Sequence, residues 1–150
     1  MTDAVDLVRE VAAARQRLID FVGRCSDEQW CSSPLADRDP RPVGVIVDHV
    51  ADAYDYLASF VTKLLVGEPV EVSPEVVDQL NARHASEVTA PTRKDALAHV
   101  RRSGDAFMAL IDPLDAQHLA AGEGRVTRLA EIAARHADGH RVELETALGL

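Results

Sequence analysis

The chain has 150 residues, 47% apolar and 27% charged, which fits one globular domain over 1–150 with a substantial core. Its 25 Asp and Glu outweigh 16 Lys and Arg, and the net charge of −9 argues against nucleic acid or an anionic membrane as partner. No apolar run approaches a membrane span and the N-terminus lacks a signal-peptide pattern, so the expected location is the cytoplasm, with Cys25 and Cys31 as reduced thiols.

Residues from about Asp3 to Arg24 repeat apolar positions at a helical period, with Thr2 as a plausible N-cap and Gly23 near the end. A connection follows over about 25 to 41, its prolines and small polar residues denying it a long helix. The single tryptophan, Trp30, is expected to anchor that connection on the bundle end. Pro42 suits the first turn of a second helix running to about Val66. Asp48, Asp52, Asp55, Ser59 and Lys63 form its polar stripe, and His49 lies at the margin beside Ile46, Ala53, Tyr56 and Phe60.

Gly67-Glu68-Pro69 ends that helix, and Ser73-Pro74 starts a short one that reaches about Glu87. His84 on it reads as a surface or loop-packing residue. Thr92 caps a further long helix to about Ile111, whose core face is Ala96, Val100, Phe107, Leu110 and Ile111; His99 shows no partner there. Gly122 and Gly124 mark a turn in the next connection, which also holds His118. The last helix spans about Thr127 to Leu148, closed by Gly149. With no strand-like alternation and no repeat, the chain reads as all-α: a four-helix bundle with a long crossover and one extra short helix. The connection of about 25 residues between the second and third long helices allows them to run parallel.

Chemistry concentrates in Ala134-Arg135-His136-Ala137-Asp138-Gly139-His140. Histidines four apart share one helix face, and Leu129, Ile132, Ala133, Ala137, Leu144 and Ala147 put that face towards the core. Buried imidazoles need partners, and a metal uses both. The Glu-x-x-His of di-iron bundles, the His-Glu-x-x-His of zinc proteases and a Gly-x-Ser-x-Gly elbow are all missing. What remains is a facial set of three imidazoles, His49, His136 and His140, suited to a divalent metal of the zinc or nickel type with one position open. Asp48, Asp52 and Asp138 are candidates to orient those rings, although solvated surface charge is the commoner role for such residues. A metal-free bundle with hydrogen-bonded core histidines is the open alternative.

Three strings carry a resemblance: Asp27-Glu28-Gln29-Trp30 followed by Pro34, Val43 through Ala53 with its Asp48-His49, and Ala134 through Leu150 with His136-x-x-x-His140. Together they resemble the DinB-like (YfiT-like) superfamily over nearly the whole chain. The resemblance implies a DinB-like four-helix bundle with a long crossover, and a metal held by residues that map onto His49, His136 and His140. It also implies a reaction class, since the superfamily includes thiol S-transferases that use bacillithiol or mycothiol. The partners would be a small-molecule thiol and an electrophile, and the assembly a homodimer. The Ala-, Val-, Arg- and Asp-rich, Lys-poor composition favours mycothiol as the thiol co-substrate. The isomerase branch, which also uses mycothiol, usually carries a second, C-terminal domain, and that favours the S-transferase expectation. One departure stands out: Arg41-Pro42 occupies the place where the family commonly has Trp followed by Ser or Thr. The alternative is a non-catalytic metal-binding or stress-response helical bundle, and no residue is assigned to catalysis or to thiol binding.

Overall fold

The computed structural model describes residues 2–150. Its helices are α1 (Ala4–Arg24), α2 (Asp27–Cys31), α3 (Val43–Leu65), α4 (Pro74–Glu87), α5 (Arg93–Ile111), α6 (Ala116–Leu119) and α7 (Ala121–Leu148), and there is no strand among the described residues. Four long helices form the bundle, and α4 is the short helix of the crossover. The one-turn helices α2 and α6 punctuate the other connections, too short to leave a periodic signal.

Each long helix buries the face that its apolar period specifies. In α1 this is Leu7, Val11, Ala14, Leu18, Phe21 and Val22. The cap is Asp3 rather than Thr2: its carboxylate accepts the Asp6 N–H at 2.9 Å. Ser26 and Gln29 make a reciprocal capping box on α2. That turn presents Trp30, 6% exposed, whose Nε1 donates to the Pro91 carbonyl at 3.0 Å. The indole lies on Gly44 of α3, where a Cβ would come within 2.8 Å of the ring. Trp30 therefore ties the α1–α3 connection to the end of the crossover, as expected of an anchor.

Ion pairs and packing fix the helix directions. Arg17–Asp138 and Arg24–Glu145 both join residues 121 apart, so α1 and α7 run parallel. Leu64 packs at Gly122 while Arg38, just before α3, reaches Glu143 at 3.2 Å; α3 and α7 are thus antiparallel. His99 meets Asp48, and Phe107 meets Tyr54 a few residues further on, so α3 and α5 run parallel, as the long crossover allows. The bundle is up–down–down–up, with α3 packed between α5 and α7.

In α7 the residues Gly122, Glu123 and Gly124 are left-handed, with φ of 62°, 60° and 82°, so the regular helix begins close to the expected Thr127. Its buried face is Val126, Leu129, Ala130, Ala133, Ala134, Ala137 and Leu144. Ile132, 38% exposed, and Ala147 fall outside it, so the core strip is narrower than the sequence pattern suggests. Gly139 is exposed, and a Cβ there meets nothing within 4 Å. It leaves no space for a ligand or a neighbouring helix. Gly139→Ala is expected to raise stability by up to ~1 kcal/mol, the helix-propensity difference, with metal affinity unchanged. Thermal unfolding and metal titration check both halves. No helix among the described residues is long and apolar enough to cross a membrane.

Candidate metal centre

His49 projects from the second turn of α3, and His136 and His140 from successive turns of α7. Because the two helices are antiparallel neighbours, the three rings meet. The His49 ring centroid lies 4.8 Å from that of His136 and 5.2 Å from that of His140, and the α7 pair is 4.5 Å apart. The Nε2 atom of His136 lies 3.0 Å from that of His49 and 3.1 Å from that of His140. His49 is 1% exposed; His136 and His140 are partly exposed.

The donor set fits a divalent ion. Nitrogens bound to one such ion at ~2.0–2.1 Å stand roughly 3 Å apart, the spacing of the two pairs that His136 makes, and all three nitrogens lie within 4.8 Å of one another. A purely hydrogen-bonded cluster suits this geometry poorly. The His136 Nε2 has one site, either a proton or a lone pair, and faces two other Nε2 atoms. With each proton on Nδ1, three lone pairs converge on one point, an arrangement that an electrophile relieves. Burial, then the neighbouring imidazoles, push the pKa of His49 down to about 2. Burial and the charges of His140 and Arg41 push His136 down to about 3. Burial and Arg41 also lower His140. All three are therefore neutral at pH 7, the form that ligates metal.

The residues are those of a known lineage. A family model described as DinB superfamily matches residues 10–144. The chain belongs to the DinB superfamily. The match includes all three clustered histidines. No curated protein and no solved structure is matched.

Around the centre of this DinB-superfamily chain lies a second polar group that the sequence does not announce. Asp48, expected on a solvated stripe, is 5% exposed. One of its oxygens bonds His84 Nε2 of α4 at 2.8 Å, and the other bonds His99 Nδ1 of α5 at 2.9 Å. The Nε2 of His99 then reaches Asp55 at 3.2 Å. His84 is 4% exposed and is not a surface residue; its ring leans on His49, with centroids 5.8 Å apart. Burial alone would raise the Asp48 carboxyl, but the bonds from His84 and His99 outweigh it and bring it down to about 2. Asp48 thus joins α3, α4 and α5 immediately behind a ring of the histidine cluster. Of the other carboxylates considered, Asp52 is half-buried, its pKa raised chiefly by burial. Asp138 points the other way, bonding Arg17 at 3.0 and 2.7 Å and Arg141 at 3.3 and 3.2 Å. It fastens α7 to α1 between the two histidines but meets neither ring. The His118 ring bonds Asp115, on the surface.

The three lowered histidines make acid unfavourable to the metal-free fold. Below ~6.5 the unfolded chain takes up protons that the folded rings refuse, so stability falls with pH by up to ~1.4 kcal/mol per unit for each ring. His99, raised by its bond to Asp48, opposes this with a single group. The metal-free protein is expected to melt at a clearly lower temperature at pH 5 than at pH 7.5. An unchanged or higher melting point at pH 5 would contradict the neutral, buried state of the cluster.

Proposed function

We propose that this protein is a metal-dependent thiol S-transferase. It would use zinc or nickel, take a low-molecular-weight thiol of the mycothiol type as co-substrate, and act on small electrophiles. The observation that carries this reading is the convergence of three neutral imidazoles from two rigid helices. His49, His136 and His140 would hold the ion through Nε2. When bound, the ion supplies a Lewis acid with its full charge, which lowers the pKa of a thiol or water at its remaining position.

The chain's own residues set up that chemistry. Burial keeps the imidazoles unprotonated. Asp48 and His84 brace the flank of His49, and the Arg17–Asp138–Arg141 contacts hold α7 in place between its two histidines. The cysteines are elsewhere. Cys25, at the end of α1, is buried, and that burial raises its thiol against the lowering charges of Arg93 and Arg24. Cys31 ends α2, outside the histidine cluster. The attacking sulfur would come from the co-substrate. The family resemblance further supports a homodimer.

The test is a conjugation assay with mycothiol, bacillithiol and glutathione against several electrophiles, using metal-loaded protein purified without a histidine tag. The expected result is a rate that depends on metal, vanishes with chelator and survives Cys25→Ser combined with Cys31→Ser. Stoichiometric metal without any rate above background would leave the non-catalytic metal-binding alternative standing in its place.

A further inference from the structure

Two imidazoles that pack on each other each keep one ring nitrogen buried and unpaired. His49 of α3 is 1% exposed and His84 of α4 is 4% exposed. Their ring centroids are 5.8 Å apart, with the planes inclined by 58°. The Nδ1 atom of each is buried without a hydrogen-bond partner. The other nitrogen of each ring is engaged: His84 Nε2 lies 2.8 Å from Asp48, and His49 Nε2 lies 3.0 Å from His136 Nε2. A buried polar atom left unpaired is costly, so two of them on touching rings call for an explanation.

The two rings are complementary. A carboxylate only accepts, so the His84 Nε2 beside Asp48 carries a proton and donates it. His49 is the reverse case. An ion held by the cluster would take its Nε2, and the ring's proton would then stand on Nδ1. An N–H on His84 Nδ1 would set donor against donor and leave both unpaired. A lone pair there answers the His49 proton. Metal-bound imidazoles almost always donate their other N–H, which fixes both tautomer and ring orientation.

Resting on the metal reading above, though not on the identity of the thiol, we propose that His84 is the positioning residue of the histidine centre: its Nδ1 accepts the His49 Nδ1–H, directly or through one water molecule. Asp48 gives the chain its direction, because it holds the His84 proton on the far side of that ring. The crossover helix α4 delivers the acceptor, so the long connection serves the centre as well as the topology.

The test reads tautomers and zinc affinity, not turnover. Proton–nitrogen correlation spectra of zinc-loaded protein are expected to show His84 with its proton on Nε2 and a hydrogen-bonded Nδ1. They should also show a His49 Nδ1–H that exchanges slowly with water. A His84 proton found on Nδ1 overturns the proposal. Two variants then separate positioning from mere support of α4. In His84→Gln the amide reaches the place of Nε2, so the Asp48 bond is kept and the Nδ1 acceptor is lost. In His84→Asn it reaches the place of Nδ1, so the acceptor is kept and the Asp48 bond is lost. Zinc affinity is expected to fall about ten- to hundredfold in His84→Gln and to stay closer to the wild type in His84→Asn. Melting temperatures should take the opposite order, with His84→Gln the more stable. Affinities that simply follow the melting temperatures overturn the proposal. If either variant does not fold, the wild-type tautomers decide. Absence of stoichiometric zinc in the wild type would instead bring down the metal reading, and this inference with it.

Discussion

His136→Ala is expected to abolish tight divalent-metal binding while leaving the bundle folded. Of the three clustered nitrogens, the His136 Nε2 is the central one, 3.0 Å from His49 and 3.1 Å from His140. Without it, a chelating set of three becomes two donors on different helices. The loss of affinity should exceed the roughly ten- to hundredfold that follows removal of an outer-shell partner. The fold should tolerate the change because His136 is only partly buried, and alanine is the best helix former. Removing it also relieves the convergence of lone pairs. Zinc titration against a chelating indicator, with circular dichroism on the same samples, checks both halves. A variant that folds and binds zinc as the wild type does would take the metal away from this cluster. Metal-dependent thiol conjugation should disappear with the affinity.

The parts of this site that could be read from the chain differ from those that could not by sequence distance. His136 and His140 are four apart, so helix geometry alone puts them together. His49 could be joined to them because it sits at the edge of the apolar face of a long helix. The long helices were legible for the same reason: their apolar periods are sustained over five or more turns. His84 and His99 were not legible. Their partner Asp48 is 36 and 51 residues away, and nothing local marks either histidine. Asp48 misleads for a further reason. It shares its stripe with Asp55, which is exposed, and only the packing of α4 and α5 over α3 separates the two. A periodic pattern records which residues share a face. It does not record what a 14-residue crossover helix later covers.

Asp48→Ala is expected to be among the most damaging single changes in the chain. The side chain is 5% exposed and accepts two hydrogen bonds from rings on two other helices. Alanine removes both acceptors at once. His99 is 22% exposed and has a second partner in Asp55, so it can find water. His84 cannot: it is 4% exposed, and its Nδ1 already lacks a partner, so the variant leaves both of its ring nitrogens buried and unpaired. Leaving a buried donor without its acceptor costs ~1–3 kcal/mol. For a chain of this size, at roughly 2–4 °C per kcal/mol, that is a drop of several degrees in melting temperature. Asp48→Asn should cost distinctly less, because the amide offers one acceptor and one donor, and a change of tautomer lets His84 accept where it donated before. The loss should also reach the centre, since α4 meets the bundle mainly at α3 and His84 backs the His49 ring at 5.8 Å. Zinc affinity of Asp48→Ala, measured below its melting temperature, should fall by about ten- to hundredfold. Equal melting temperatures for Asp48→Ala and the wild type would show that α4 is held by its apolar contacts at Val76 and Leu80 instead.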